Sequence, residues 1–478
     1  MHYPKKLLLF LGLLSALLSL SCQKTVPESV QISFGTPIVS SELKLFRTHM
    51  LNYGEMVLER AEGNLEDSTS FTFVLNKSTF ATVSINETNF PVFLEPGYDL
   101  RLELNDNKIR YSGQGAKVNN YLAMTNTLVE QFFQSNGEFW RLDLSSFEQL
   151  ASNLQAELTQ FHQAYTDTTS LSLPLQDLLQ SRNELISLDL SQQYLVINQF
   201  VGARRDSLPE SIKQTIASVP LEAQYLDLHL PVYARVLDLY LRGEMQSFPI
   251  EEDEPEKVDA LQATFPRLSH ELIRKKDLDP ALQDYFWAKN IDHWLGLQSL
   301  SPTIDSLYQE YKRAYPNSPY GDELALYYQD WQRLLAGRPA PEVVGLDLHG
   351  DTVKLSDLKG KLVYMDVWAS WCRPCLAEFP YYESLQAEFR EEEAIEFLFV
   401  SIDQDRGDWE KAVRSKAPSR GLHINDLKKS EDYAGIISIY NMWGISQRLI
   451  IDQAGNIVDT KAPPPSLAKT KEILKSLL

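Results

Sequence analysis

Cysteine is scarce in this chain of 478 residues, which contains only Cys22, Cys372 and Cys375. The last two are separated by two residues, so they can form a redox pair. Half of a zinc site has the same spacing. A zinc site needs further Cys or His ligands, however, and the chain has no second Cys pair and no spaced His pair. The scarcity therefore favours a redox pair, no metal site and no structural disulfide.

Positive charge is also in short supply. Lys and Arg total 45 against 65 Asp and Glu, which gives a formal net charge of -20. Such a balance argues against nucleic acid or an anionic membrane surface as a partner. Basic stripes, glycine motifs that cradle phosphate and low-complexity tracts are absent as well. The remaining composition is globular, and the length suits two to four domains.

The cysteine pair lies between two recognisable patterns. The apolar run 362–367 is typical of a buried strand, and 376–389 has helical periodicity. The pair therefore occupies the point where a strand leads into a helix. Unpaired N–H groups and the partial positive charge of a helix N-terminus stabilise a thiolate, so we expect Cys372 to be reactive. Cys375 can reach back to it and close a short disulfide.

Two motifs around the pair resemble a known family. Trp371-Cys372-Arg373-Pro374-Cys375 resembles the active-site segment of the thioredoxin fold. Cys375-Leu376-Ala377-Glu378-Phe379-Pro380 resembles, more narrowly, the TlpA/ResA branch of envelope-anchored disulfide reductases. The resemblance covers about 338–478 and implies a C-terminal α/β thioredoxin fold.

The resemblance implies roles for four residues. Cys372 would be the exposed, attacking sulfur, and Cys375 the more buried, resolving sulfur. Asp366 lies where thioredoxins have a buried carboxylate, and Glu378 lies where the TlpA branch has an acid. Either could be the base for Cys375. Alternatively, Asp366 is a polar residue at a strand end and Glu378 a solvated helix position.

Five further residues are expected to face the substrate. Trp371 would pack beside the sulfurs, Arg373 would favour the Cys372 thiolate, and Pro374 would stiffen the helix start. The family has a cis-proline opposite its disulfide, and the corresponding position here is Ser446. A cis bond before a residue other than proline costs about 3–4 kcal/mol. We therefore expect a trans bond at Ser446, with the backbone of Ile445 still facing the substrate.

The N-terminus has the pattern of an export signal. Lys5 and Lys6 precede the apolar run 7–20, which is short for a transmembrane helix. Ser19-Leu20-Ser21-Cys22 resembles a bacterial lipobox, with Ser19 in place of the usual Leu. This predicts a lipoprotein signal peptide at 1–21 and lipidation of Cys22. The alternative is an ordinary cleaved signal with an unrelated cysteine.

Between the signal and the redox segment, two changes of pattern suggest domain boundaries. Alternating apolar residues predict a small antiparallel β domain at 26–115, which resembles the N-terminal β domain of Bacteroidota envelope lipoproteins with a thioredoxin module. Helical periodicity predicts an all-α region at 116–335 before the thioredoxin-like domain at 338–478. Helix starts are expected at the capping box Ser145–Glu148 and at Asp279-Pro280.

These features predict a multidomain, periplasm-facing, lipid-anchored thiol–disulfide oxidoreductase that reduces protein disulfides. Its only redox group would be the Cys372–Cys375 disulfide, without a further cofactor. The resemblance implies protein disulfides as substrates and a membrane electron donor of the DsbD/CcdA kind. The alternative is a binding lipoprotein whose β and helical regions capture a partner, with a residual thioredoxin module. A thiol peroxidase would need a Pro-x-x-x-Thr-x-x-Cys arrangement, which this chain lacks.

Overall fold

The computed structural model describes residues 28–34, 42–51, 55–62, 70–86, 88–105, 108–198, 209–245, 255–427, 435–442 and 444–478. The predicted signal segment and Cys22 lie outside these residues. The chain folds as two compact units, Met1–Phe248 and Pro249–Leu478. This division falls within the region 116–335, and the three-domain boundaries drawn from the sequence stay a prediction.

The N-terminal unit begins with eight strands in its described part. Their bounds are β1 Glu28–Phe34, β2 Glu42–Thr48, β3 Glu55–Glu62, β4 Ser70–Leu75, β5 Thr79–Ile85, β6 Thr88–Leu94, β7 Asp99–Asn105 and β8 Lys108–Gly113. They form two sheets, ordered β4-β1-β7-β8 and β3-β2-β5-β6. Apolar residues from both sheets share one core, because alternate side chains of each strand point to the same face. This confirms the β-rich N-terminal region. The prediction of a wholly antiparallel domain is wrong at one pair, because β1 runs parallel to β7.

Helices follow these strands within the same unit. Their bounds are α1 Ala116–Ser135, α2 Leu144–Thr168, α3 Leu173–Ile197, α4 Glu210–Ala217, α5 Ala223–Asp227 and α6 Pro231–Met245. Asn119 joins α1 to β6, since its side chain accepts from Phe93 N at 2.7 Å and donates to Phe93 O at 2.9 Å. Helix α2 starts two residues before its predicted position, because the Asp143 side chain caps it by accepting from Ser146 N.

The C-terminal unit contains the remaining helices and a third sheet. The helices are α7 Pro255–Arg274, α8 Pro280–Gln298, α9 Pro302–Ala314, α10 Gly321–Arg333, α11 Arg373–Glu388, α12 Arg406–Lys416, α13 Ile436–Ile439 and α14 Ala468–Leu477. The strands are β9 Val344–Leu346, β10 Thr352–Lys354, β11 Leu362–Trp368, β12 Ile395–Ser401, β13 Leu422–Asp426, β14 Gln447–Ile451 and β15 Ile457–Asp459. Asp279 caps α8 as the sequence predicts.

The third sheet has the order β10-β9-β13-β12-β11-β14-β15. Strand β11 lies inside it, parallel to β12 and antiparallel to β14. Every residue of β11 is buried, because strands and helices cover it on all sides. The strand runs directly into the cysteine pair and helix α11. The strand–loop–helix arrangement inferred from the sequence is confirmed.

Polar contacts connect helix α8 to the hairpin β14–β15 within the C-terminal unit. Ser299 Oγ lies 2.9 Å from Thr460 Oγ1, and Lys461 Nζ donates to Gly296 O at 3.0 Å. Lys461 Nζ also donates to Gln447 Oε1 at 3.1 Å. These bonds hold the start of β14 against the end of α8. Among the helices that the structure describes, none combines the length and apolar character needed to cross a bilayer.

Candidate active site

The two cysteines of the redox pair are joined in a disulfide at the N-terminus of α11. Their Cα atoms are 5.3 Å apart. Cys372 is the N-cap residue of the helix, and its Sγ accepts from Cys375 N at 3.2 Å. The helix N-terminus therefore directs a backbone N–H at this sulfur, as the sequence predicts for a stabilised thiolate.

Both sulfurs are more enclosed than the sequence suggests. Cys372 is 4% exposed and Cys375 is 0% exposed, so the expectation of an exposed Cys372 is wrong for the disulfide form. Both residues belong to the apolar core of the C-terminal unit. The tryptophan of that core is Trp368, whereas Trp371 is 64% exposed. Trp371 therefore does not pack into the core beside the sulfurs, because the chain turns outward after strand β11.

The loop before Cys372 is held by a carboxylate from the segment that directly follows β12. Asp403 is buried, and its side chain accepts from Ser370 N at 2.8 Å and from Ser370 Oγ at 2.7 Å. Ser401 Oγ donates to the same carboxylate at 2.7 Å. Charge-assisted bonds of this kind are stronger than neutral ones. Asp403 thereby anchors the loop that presents the pair.

Asp366 is a fully buried carboxylate on β11, in line with the buried position implied for it. Its Oδ2 accepts a 2.5 Å hydrogen bond from Tyr382 Oη, and Arg448 Nε lies 3.6 Å from the same oxygen. Its Oδ1 is buried and has no hydrogen-bond partner in the described part of the chain. One oxygen of the carboxylate is therefore held while the other remains open to a proton.

The surroundings of Asp366 favour its protonated form. Burial raises the pKa of Asp366 to about 6, although the Arg448 cation and the Tyr382 hydroxyl act in the opposite direction. Glu378 adds to the rise through its negative charge. Burial likewise raises the pKa of Tyr382 well above its ordinary value, so Tyr382 stays a neutral donor. A carboxyl group that titrates near neutral pH is suited to accept and return a proton.

The loop at the family's cis-proline position contains a cis peptide bond. The bond between Ile445 and Ser446 is cis, so the expectation of a trans bond is wrong. That expectation considered only the intrinsic preference of a non-proline peptide, not the tertiary contacts of the loop. Arg448 Nη2 donates to Ser446 Oγ at 2.6 Å. The Ile445 side chain packs against the core that contains both cysteines. Gln447, the residue after Ser446, pairs with Val367, so the loop lies at the end of β11 that leads into the pair.

Glu378 lies on α11 and bonds to the segment before α14. Its carboxylate oxygens accept from Ser466 N at 3.2 Å and from Ser466 Oγ at 3.0 Å. The side chain is half-buried and is therefore more than a freely solvated helix residue. The other residues expected to face the substrate, Arg373 and Pro374, are exposed beside the disulfide.

Comparison with known proteins agrees with this geometry. The Redoxin family matches residues 335–477. The thiol-disulfide oxidoreductase ResA of Bacillus thuringiensis (strain Al Hakam) is 31% identical over 134 residues, which cover 28% of this chain and 73% of the Bacillus protein. The chain belongs to the ResA family of thioredoxin-like thiol-disulfide oxidoreductases.

Other relatives extend the comparison. The thioredoxin-like protein YneN of Bacillus subtilis is 35% identical over 124 residues, or 26% of this chain and 69% of YneN. A crystal structure of the thioredoxin domain of a thiol-disulfide oxidoreductase from Bacteroides vulgatus has 27% identity. It covers 30% of this chain and 99% of that domain, with a TM-score of 0.27. The Redoxin match begins at residue 335, so the ResA-family resemblance concerns the C-terminal part of the chain.

Sequence reasoning missed three side chains of this ResA-family site. Tyr382 and Arg448 contact Asp366, and Asp403 holds the loop before Cys372. Tyr382 is seven residues after Cys375, a spacing that places both on one helix face, so its position contained a signal. The sequence around Arg448 offers no such signal, because Arg448 meets Asp366 only when β14 pairs with β11.

Proposed function

We propose that this oxidoreductase reduces disulfides of protein substrates in the cell envelope. The observation that carries the proposal is the enclosed Cys372–Cys375 pair at a helix N-terminus, with a buried carboxylate of raised pKa on the adjoining strand. An exposed Trp371 and an exposed Pro374 beside the pair offer an apolar surface to an incoming polypeptide. No cofactor beyond the cysteine pair is needed for this chemistry.

The reaction proceeds as two exchanges. The Cys372 thiolate attacks one sulfur of the substrate disulfide, which forms a mixed disulfide and releases the other substrate sulfur as a thiolate. Cys375 then attacks the Cys372 sulfur and releases the second substrate sulfur. Two electrons pass to the substrate, and the Cys372–Cys375 disulfide is left behind. A membrane donor of the DsbD/CcdA kind would return the two electrons.

Cys375 must lose its proton before the second exchange, and we assign Asp366 as the acceptor. Cys375 and Tyr382 share one face of α11, and helix side chains lean towards the N-terminus. Because the Tyr382 hydroxyl donates to Asp366, the carboxyl group lies against the face of α11 that presents Cys375. The free Oδ1 of Asp366 provides the acceptor atom. A direct or water-mediated transfer from the Cys375 thiol to this oxygen would complete the step.

The N-terminal sequence supports the proposed location in the envelope. An export signal at 1–21 and lipidation of Cys22 would leave the enzyme anchored to a membrane and facing the periplasm. An oxidising compartment supplies disulfide substrates.

A reduction assay on the full-length chain tests the proposal. The chain should carry Cys22→Ala, so that the pair holds its only two thiols, and insulin can serve as substrate. Cys372→Ala should abolish reduction. Cys375→Ala should accumulate a mixed disulfide that mass spectrometry locates on Cys372. A reduced, folded protein that leaves insulin intact and traps no envelope protein through Cys375→Ala would refute protein-disulfide reduction.

A second role, capture of a partner by the N-terminal unit, is favoured by a cavity in that unit. The cavity has a volume of about 390 Å³ and lies between strands β6 and β8 and helix α1. Phe90, Met124 and Phe161 supply apolar lining, and Lys108 and Glu130 supply charge. A site of this size and mixed character can hold a side chain or a small ligand. Retention of a partner by a Cys372→Ala, Cys375→Ala double variant would support this role.

A further inference from the structure

One arginine connects the buried carboxylate to the loop that directly precedes β14. Arg448 is 6% exposed and lies on β14 directly opposite Asp366 in the antiparallel register with β11. Residues that face each other in such a pair have side chains within contact distance. The Nε atom of Arg448 lies 3.6 Å from Asp366 Oδ2. The sheet register thus places a cation against this carboxylate.

The other end of the same guanidinium contacts the loop. Nη2 donates to Ser446 Oγ at 2.6 Å, and Nη1 donates to Ser446 O at 3.4 Å. Ile445, the residue before Ser446, packs against the core that contains both cysteines. A planar guanidinium has donors in fixed directions. Because the same rigid group contacts both Asp366 and Ser446, a displacement of either residue displaces Arg448 relative to the other.

We propose that Arg448 is a positioning residue for thiol–disulfide exchange, which holds Ser446 beside the substrate and holds Asp366 as the proton acceptor for Cys375. The second half of this assignment rests on the proposed role of Asp366. Neither half requires Arg448 to touch the reacting sulfurs.

The charged and titratable groups around Asp366 come from three elements. Arg448 faces it from β14, Tyr382 and Glu378 act on it from α11, and Tyr364 lies on β11 itself. Among these groups Arg448 alone is a cation, so it opposes burial and keeps the carboxylate able to ionise. When Asp366 takes up a proton, its attraction to Arg448 falls, while the contacts of Arg448 with Ser446 remain. Proton uptake and loop geometry therefore depend on one side chain.

Titration of Asp366 tests the second half of the proposal, the hold of Arg448 on Asp366. The readout is the side-chain carboxyl carbon signal of the oxidised, full-length Cys22→Ala protein labelled at aspartate, with Asp366→Asn identifying the signal. Arg448→Met should move the midpoint upward by about one to three pH units, the usual effect of losing an opposite charge at this distance. Arg448→Lys retains a positive charge, so its Asp366 midpoint should fall between that of the unchanged protein and that of Arg448→Met. Lys361→Met is a matched control that removes a cation paired at 2.9 Å with Glu396 on the same sheet, and it should leave the midpoint in place.

Kinetics test the first half of the proposal, the hold of Arg448 on Ser446. Ser446→Ala removes the hydroxyl that accepts from Arg448 but keeps the charge beside Asp366. It should raise KM for a peptide disulfide roughly two- to tenfold, the equivalent of one lost hydrogen bond, with the Asp366 midpoint unchanged. Arg448→Lys should raise KM similarly, since a single ammonium cannot reproduce both contacts with Ser446.

An unmoved midpoint in Arg448→Met, or an unchanged KM in both Ser446→Ala and Arg448→Lys, would overturn the proposal. If Arg448→Met does not fold, two other results test the proposal. The Asp366 midpoint should be raised in Arg448→Lys, and KM should be raised in Ser446→Ala. Failure of the proposed function has another signature, because the unchanged protein would then leave insulin intact, whatever Arg448 does to the titration. The proposed role of Asp366 would fail separately if Asp366→Asn resolved the mixed disulfide at the unchanged rate.

Discussion

Tyr382 donates a 2.5 Å hydrogen bond to Asp366 and so joins the helix that carries Cys375 to the strand that leads into Cys372. Both residues are fully buried. A buried carboxylate is tolerated only where hydrogen bonds or charges compensate for the lost water. The stability of the C-terminal unit therefore depends on the same carboxyl group that we propose as the proton acceptor for Cys375.

Replacing Asp366 by Asn should make stability less dependent on pH. Burial raises the pKa of Asp366 from 3.8 to about 6, so the fold favours the protonated form. The stabilisation from this group is complete below about pH 4 and is lost as pH rises through 6. Asp366→Asn should therefore be more stable than the unchanged protein at pH 8, by at most about 3 kcal/mol at about 1.4 kcal/mol per pKa unit. Urea unfolding of the oxidised proteins at pH 4 and pH 8 measures the difference. An advantage of the Asn variant that is equal at both pH values would contradict the raised pKa.

Replacing Tyr382 by Phe should destabilise the protein more at alkaline than at acidic pH. The lost bond is to a charged acceptor at pH 8, where such a bond contributes about 1.5–3 kcal/mol, and to a neutral one at pH 4. Tyr440→Phe is the matched control, because the hydroxyl of the buried Tyr440 donates to the uncharged Pro341 carbonyl at 2.7 Å. The control should lose about 0.5–1.5 kcal/mol at either pH. The same urea titrations give both values, and an identical pH dependence in the two variants would be the contrary result.

Glu378→Gln should lower the pKa of Asp366. Glu378 adds to the rise of that pKa through its charge, and glutamine removes the charge while its amide oxygen can still accept from Ser466. Because the effect is electrostatic and not from direct contact, we expect a shift of roughly half a pH unit or less. Ser466→Ala keeps the charge and is the control. The aspartate carboxyl titration measures the pKa of Asp366 in both variants. An upward shift of that pKa in Glu378→Gln would contradict the prediction.

Cys372 should react with an alkylating agent before Cys375 in the reduced protein. Cys372 has the small remaining exposure and lies at the end of the helix dipole, whereas Cys375 is completely enclosed. Thiolate character and access together set the rate of alkylation. Short exposure to iodoacetamide followed by peptide mass spectrometry gives the order, with the urea-unfolded protein as the control that should label both equally. Earlier labelling of Cys375 would reverse the assignment of attacking and resolving sulfurs.

Cys22→Ala should release the protein from the membrane fraction and abolish acyl labelling. The prediction depends on the lipobox-like segment at 19–22, since one lipidated cysteine would be the anchor. Ser21→Ala, which retains a small residue, is the control and should leave the protein anchored. A variant that stays in the membrane with its leader uncleaved would show that the leader, not a lipid, holds it.

The sequence was sufficient where structure depends on neighbouring residues. The apolar run before the pair and the helical pattern after it predicted β11, the cysteine loop and α11, because strand and helix periodicities are local. Asp279-Pro280 likewise predicted the start of α8, since a cap residue and a first-turn proline act within one helical turn. At Ser145–Glu148 the same reasoning placed the helix start two residues late, because Asp143 was the better-placed cap.

Only the tertiary structure decided the surroundings of the sulfurs. Asp366 is separated from Tyr382 by 16 residues and from Arg448 by 82, and Ser370 is 33 residues from Asp403. No local pattern encodes such pairs, because they form only when α11, β12 and β14 pack around β11. Local sequence also did not reveal three other features of the site: the exposure of Trp371, the burial of Cys372 and the cis bond before Ser446. The sequence determined the position of the cysteine pair between a buried strand and a helix, because both patterns are local. Packing alone determined the access, charge and partners of the site residues, because burial and pairing are properties of the assembled sheet.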